Sequence, residues 1–242
     1  MAKQLSNKSL DILNTIFYQL DEDEYIRVVK RIKDNKTREP IFIPLFCKNV
    51  EEIKQKANQI YYSDYYYQLS TTSENDGTKE SLKYRYELGF DFDLKDYLEV
   101  DKRILKDMCE FERDKFDELK QELLQNIYDA LKDIGLYTHL IVDSGYGYHV
   151  HILIKKTSDF DKVEKVQQAI ANEFIKRKLN VDLNALKSTQ ILRIAYTYNN
   201  TSIVTLDVKA LSNRTKDENF HRKSIDYYYK KYNLGPIDAV AK

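Results

Sequence analysis

Three short stretches of the chain carry residue types that can do chemistry. The first is Gly89-Phe90-Asp91-Phe92-Asp93-Leu94. On a strand, alternate side chains share a face, so Asp91 and Asp93 point one way and Phe90, Phe92 and Leu94 the other. Two carboxylates at that spacing repel unless a cation or a base lies between them. Their oxygens suit hard divalent ions such as Mg2+ or Mn2+. A solvated outer face of a surface strand explains the same alternation. The second stretch, Ser144-Gly145-Tyr146-Gly147-Tyr148-His149-Val150-His151, spends two of the chain's six glycines between two predicted strands. Such a loop can aim backbone N–H groups at an anion, with the Ser144 hydroxyl as a further donor. His149 and His151 share one face of the strand that follows. A tight hairpin accounts for the glycines but not for Ser144 and His149 within the same few residues. The third stretch supplies Asp182 and then, in residues 188–199, Arg193 between Leu192 and Ile194. An Arg among apolar neighbours needs a partner, either a protein carboxylate or a phosphate that fits its fork.

These residues need elements to position them. Leu10, Leu13, Ile16, Phe17 and Leu20 recur at helical spacing. Residues 24–32 and 41–46 read as strands, and Asn49 caps a helix carrying Val50, Ile53, Ala57 and Ile60. The aromatic run 65–71 and the segment 82–94 flank a polar loop containing Asn75-Asp76-Gly77, which predicts a hairpin. Residues 101–134 are helical by pattern but too long for one globular helix, so two helices with a break are expected, ending at Gly135. Strands follow at 138–142 and 148–155, a helix at about 161–178, strands at 191–196 and 203–208, and a helical, Tyr/Lys-rich tail from residue 217. Hairpins mixed with helices make the fold class α+β or α/β.

Composition narrows the classes. The chain has 242 residues, long enough to bury a core without disulfide or metal staples. It is 42% hydrophobic and 32% charged, which excludes disorder. No apolar run nears the roughly 20 residues that cross a bilayer, so no membrane partner is expected. The first ten residues lack the apolar core of a signal peptide, and Cys47 and Cys109 stand in no zinc-like spacing. The expectation is a cytoplasmic protein without zinc. Its 39 basic and 39 acidic residues cancel, so any nucleic acid must be held by local patches.

In order and spacing, the three stretches resemble the archaeo-eukaryotic primase superfamily, particularly the small primase-polymerases of plasmids, phages and CRISPR-associated loci. The family's first motif is D-x-D or D-x-E, here Asp91 and Asp93. Its second is Ser-Gly-x-Gly-x-His, matched at every fixed position by Ser144, Gly145, Gly147 and His149. Its third is an acid before an Arg-bearing strand, here Asp182. A following R-x-P-G-T-x-N-x-K segment is matched at Arg193, Thr197 and Asn199. Ala195, Tyr196 and Thr201 replace its Pro, Gly and Lys, and Lys209 is the candidate substitute for the missing cation. The resemblance spans residues 61–211.

The resemblance implies an α+β fold: an RRM-like catalytic sheet, mixed or antiparallel, with an N-terminal αβ unit closing the active-site cleft. Residues 1–242 would form one catalytic domain, with the αβ part at 1–60, the motif-bearing core at 61–211 and a helical tail at 212–242. It implies a DNA primase-polymerase that transfers nucleotides from nucleoside triphosphates along a single-stranded DNA template, making or extending primers. Two divalent ions, Mg2+ or Mn2+, would sit on Asp91, Asp93 and Asp182. The triphosphate would lie against Ser144, Gly145, Gly147, His149, Arg193 and Asn199, and the template against Lys209, Arg214, Arg222, Lys223 and tyrosines near the cleft. Candidate partners are template, primer, and a helicase or other replication or CRISPR-associated protein. Two rivals remain open. His149-Val150-His151 with Tyr227 has the make-up of a rolling-circle initiator nuclease, and the 20 tyrosines would suit a non-catalytic single-strand-binding module.

Overall fold

The computed structural model describes residues 7–33, 37, 39–57, 64–73, 76–136, 139–197, 205–206 and 222–235. Asn199, Lys209, Arg214 and most of the expected strand at 203–208 lie outside them.

The chain begins with α1 (Asn7–Ile16), an antiparallel pair β1 (Ile26–Lys33) and β2 (Pro40–Cys47), and α2 (Val50–Ala57). Next come β3 (Asp64–Gln68), β4 (Ser70–Thr72) and β5 (Leu82–Asp93). Three helices follow, α3 (Leu94–Tyr97), α4 (Lys102–Phe111) and α5 (Arg113–Asp133). The expected break in the long helical stretch is at Glu112, which leaves helical geometry at φ −128° and ψ 52°. Gly135 ends α5 at φ 68°, where a side chain would be strained. Strands β6 (His139–Asp143) and β7 (Gly147–Thr157), helix α6 (Phe160–Lys176) and a 3-10 turn (Leu183–Leu186) come next. Short strands β8 (Ile191–Arg193) and β9 (Thr205–Leu206) and helix α7 (Ile225–Lys231) complete the described elements.

Two antiparallel sheets result, β2-β1-β3-β8 and β4-β5-β7-β6-β9. This is the α+β class, with the first two motifs and Arg193 brought to one cleft by the two sheets. The expected hairpin of 65–71 on 82–94 is corrected. Only β4 pairs with β5, while β3 pairs with β1 and β8. Leu69 alone separates β3 from β4, so the chain steps from one sheet to the other there, its amide bonded to Gln190 O at 3.0 Å. Alternation cannot reveal such a step, because both segments are equally β-prone. The predicted strand 191–196 is also shorter than its pattern. It stops at Arg193, and Tyr196 turns at φ 61°, at the position where the resemblance expects glycine.

A core lies on each side of the five-stranded sheet. Phe90, Phe92 and Leu94 of β5 and Val150, Ile152 and Ile154 of β7 pack under α5, α6 and α7. The other side of that sheet meets the four-stranded sheet through Tyr86, Leu140, Val142 and Leu153, which pack with Leu69 on α1 and β1. At about 25 cal/mol per Å2 of apolar surface, burying one Phe such as Phe90 or Phe92 contributes about 2–3 kcal/mol. That burial fixes which way the intervening acids face.

Candidate active site

The first motif sits as the alternation predicts. Phe90 and Phe92 are buried among helices, and Asp91 and Asp93 open into a cleft of about 980 Å3 between the two sheets. Ser144, Tyr146 and His149 join them from the neighbouring hairpin. Arg31, Phe42, Tyr66 and Arg193 face them from the four-stranded sheet. Lys102, Lys106 and Arg113, from α4 and the start of α5, form a cationic third side. The N-terminal strands therefore close the cleft as expected, and β8 delivers Arg193 to that closing wall.

Register explains why His149 belongs with Asp91: the two are directly opposite on β7 and β5. His149 Nε2 lies 3.6 Å from Asp91 Oδ1, too far for a hydrogen bond. Both Asp91 Oδ1 and His149 Nδ1 are buried without a hydrogen-bond partner. Burial, with Asp93 and Asp182 close by, pushes the Asp91 carboxyl up to about 8, against the pull of Lys95 and Arg193. Burial also raises Asp93, although Lys95 stands 3.5 Å away. His149 is held well below the usual imidazole range by burial, His151 and Arg193, so it is neutral at pH 7.

These observations test the fit of a divalent ion. An orphaned buried carboxylate oxygen, a second carboxylate on the same face and a neutral imidazole form an oxygen-rich site lacking positive charge at its centre. Asp91 and Asp93 fit such an ion. Asp182 is adjacent, its amide bonded to Asp91 O at 3.0 Å, but its Oδ1 caps the 3-10 turn by accepting from Asn184 N at 2.9 Å. Among the described residues, no three His, Cys, Asp or Glu side chains are grouped to hold a metal. The structure thus brings two of the three expected acids together and leaves the third turned to a cap.

The Ser-Gly-x-Gly loop differs from a nest of unbonded amides. Ser144 N donates to Gly147 O at 3.0 Å and Gly145 N to Asp143 Oδ1 at 2.8 Å, so both amides are used inside the turn. Gly145 adopts φ 99°. Gly147 is needed for a different reason, because a Cβ there would lie 2.0 Å from Phe92 O. Asp143 is a turn residue that also holds Lys120 at 2.7 Å, a buried lysine that the motifs did not single out. The loop's polar offering to the cleft is therefore Ser144 rather than a ring of amides.

Arg193 has the partner its apolar flanks demanded. Its Nη1 meets Asp64 Oδ1 at 2.9 Å, its Nη2 donates to Tyr66 OH at 2.7 Å, and its guanidinium lies 4.7 Å from the Tyr66 ring centre. Asp64, also 3.5 Å from Arg31, went unnoticed in the sequence. The signal was there in Asp64-Tyr65-Tyr66-Tyr67, whose alternation puts Asp64 and Tyr66 on one face.

His151 lies away from the cleft, 1% exposed, in a buried cluster. Its Nδ1 is 3.0 Å from Glu87 Oε2 and 3.1 Å from Tyr67 OH, and Tyr67 OH donates to Glu87 Oε1 at 2.6 Å. Arg85 continues the cluster to Gln167 and to the Ser188 carbonyl. The arrangement of the rival nuclease is not assembled: His151 is sealed in the core, and Tyr227 lines a different pocket.

No family model matches the chain, and no curated protein matches it in sequence. Solved structures do. The AEP domain of the primase-polymerase of cyanophage S-2L is similar at a TM-score of 0.56 with 8% identity, over 95% of this chain and 100% of that one. Primase RepB' is similar at 0.48 with 11% identity, over 94% of this chain and 62% of that one. Its catalytic domain, solved with initiator DNA, gives 0.48 with 10% identity, over 94% and 93%. The first likeness shows the class of fold: this chain has the fold of an archaeo-eukaryotic primase catalytic domain. Among the described residues no helix is long and apolar enough to cross a membrane.

Proposed function

We propose that the chain is a DNA primase-polymerase, transferring nucleotides from nucleoside triphosphates to a primer end on a single-stranded DNA template. The observation that carries this reading is Asp91, with a buried carboxylate oxygen that has no partner, on one face with Asp93 and facing Ser144, neutral His149 and Arg193 around one cleft. Divalent ions, Mg2+ or Mn2+, bound by these acids would activate a 3′-hydroxyl and stabilise the leaving pyrophosphate. Asp182 is proposed as the third acid.

The chain's own residues supply the rest. Phosphoryl transfer needs positioning and charge neutralisation more than covalent help. Ser144 and His149 present donors beside Asp91, and a neutral imidazole can donate to a phosphate oxygen from one nitrogen. Arg193 is mounted on Tyr66 and Asp64, so its fork is already oriented when an anion arrives. Lys102 and Lys106, four residues apart on one face of α4, add charge on the side opposite Arg193 and can serve where the Lys after Asn199 is missing. Gly145 and Gly147 let the turn place Ser144, and Asn199 is retained as a proposed nucleotide contact.

The test is incubation with a single-stranded template, Mn2+ or Mg2+ and labelled nucleotides, with and without a primer. Extended products that vanish in Asp91→Asn and in Asp93→Asn are expected. Undiminished synthesis by either variant overturns the assignment, as does metal-dependent cleavage of the template that disappears in Tyr227→Phe.

A further inference from the structure

A second pocket, of about 750 Å3, opens at the far end of β7, lined by Tyr18, Lys155, Arg222, Lys223 and Tyr227. Lys155 is six residues beyond His149 on β7, about 20 Å along the strand, within the stretch where its register with β5 shifts. The segment that carries Arg222 and Lys223 is fastened to β7, with Lys155 N donating to Lys223 O at 2.9 Å. Arg222 Nη1 donates to the carbonyls of Tyr86 and Ile154 at 3.3 Å, and its Nη2 to Thr15 O. Its guanidinium lies 4.0 Å from the centre of the Tyr18 ring, and Lys223 Nζ 5.4 Å from that of Tyr227.

Two features make this a built site rather than a solvated surface. Tyr18 and Tyr227 are each 44% exposed, so two aromatic faces flank the cations. The neighbouring acids are already taken: Asp21 and Glu24 by Lys156, Asp23 by Lys83, and Asp226 by Lys162. Among the described residues, Lys155, Arg222 and Lys223 therefore stand in no ion pair, and the pocket has surplus positive charge. A free phosphate would use the cations and leave the rings idle. A duplex would hide its bases from them. A single strand uses both, because any base can stack on a tyrosine while its phosphates meet the lysines.

We propose that this pocket is a second nucleic-acid contact that holds single-stranded DNA, its phosphates on Lys155 and Lys223 and its bases against Tyr18 and Tyr227. The choice of DNA as ligand rests on the reading of the cleft as a polymerase site; the geometry does not. The expected arrangement is a template held at both ends of β7.

The test reads binding alone, by fluorescence anisotropy of labelled oligothymidylates of 5 and 20 nucleotides without metal or nucleotide. The double variant Lys155→Glu/Lys223→Glu changes two exposed side chains, and circular dichroism checks its fold. It should weaken binding of the 20-mer roughly fivefold or more and flatten the plot of log affinity against log salt by about 1.4, two phosphates at about 0.7 each. Tyr227→Ala should weaken it by roughly 5- to 150-fold, the value of one stacked base. Unchanged affinity and salt slope in the double variant overturn the proposal, whatever the wild-type chain synthesises. So does displacement of tripolyphosphate, but not of the 20-mer, by these substitutions. If the wild-type chain adds no nucleotides yet the variants lose the 20-mer, the polymerase reading fails and the second contact stands.

Discussion

Replacing Asp91 by Asn should stabilise the metal-free protein, and the gain should depend on pH. The Asp91 carboxyl titrates at about 8 in the folded chain and ordinarily at 3.8. Between those values the folded state holds a proton that the unfolded state has lost. The folded state is therefore penalised increasingly as pH rises through that window, and the penalty levels off above 8. At pH 7 the window crossed is 3.2 pH units, which at 1.36 kcal/mol per unit is about 4 kcal/mol. Water reaches 24% of the side chain, and relaxation around it reduces the cost, so we expect about 2 kcal/mol. For a chain of this length that corresponds to a rise in Tm of about 4–8 °C. Thermal melts of EDTA-treated wild type and Asp91→Asn at pH 4.5 and pH 8 would show it: curves together at the lower pH, the variant higher at pH 8. Adding Mn2+ should raise the wild-type Tm with release of a proton and leave the variant unmoved. A variant that melts at or below wild type at pH 8 would refute the argument that Asp91 is a strained, cation-seeking carboxyl.

Other outcomes follow from particular contacts. Arg193→Ala should raise the nucleotide KM strongly and also cost about 1–3 kcal/mol in urea denaturation, since Asp64 is left part-buried with only Arg31 at 3.5 Å; an unchanged KM would restrict Arg193 to a structural role. Gly147→Ala should destabilise by at least about 1–3 kcal/mol, because the new Cβ meets the Phe92 carbonyl rather than a movable side chain; a wild-type urea midpoint would show that the two strands can separate there cheaply. Tyr67→Phe should cost about 1–2 kcal/mol by removing a hydroxyl bonded to buried Glu87, with no effect on the nucleotide KM; a changed KM with unchanged stability would instead tie the buried cluster to catalysis.

What the sequence revealed was local, and what it hid was long-range. Alternation along residues 89–94 placed Asp91 and Asp93 correctly because the greasy partners of those acids decide which face is buried. Spacing also gave the Ser144–His149 turn, and length gave a break in the helical stretch, which the structure places at Glu112. It could not give the partner of Arg193, which lies 129 residues earlier at Asp64 on β3, a strand that β8 joins only through a long-range pairing. Nor could it show that the amides of Ser144 and Gly145 are consumed within their own turn, or that Asp182 is occupied as a helix cap. Each of those depends on which hydrogen-bond partner wins locally. The hairpin misassignment has the same origin: residues 64–72 are uniformly β-prone, and only the packing of Leu69 against Leu192 and Gly89 tells the two sheets apart.

The one-residue step at Leu69 limits how the cleft can breathe. One wall carries Asp91 and Asp93, the other Tyr66 and Arg193, and the two walls are continuous through a residue that is fully buried and pressed against Gly89, where a Cβ would lie 2.6 Å from a Leu69 methyl. Neither wall can slide along the other or withdraw as a plate without pulling that residue from its socket. The motion expected from this is a tilt about Leu69 and the nearby Tyr25–Thr72 bridge, wider at the mouth near Phe42 and Lys106 than at the floor. A triphosphate would then enter by a small swing of the N-terminal strands, with the acids and His149 keeping their spacing throughout. Paired spin labels would report this as a broad distance distribution between residues 42 and 106 beside a narrow one between the exposed residues 48 and 73, which flank the Tyr25–Thr72 bridge between the sheets; equal widths at both places would rule the pivot out.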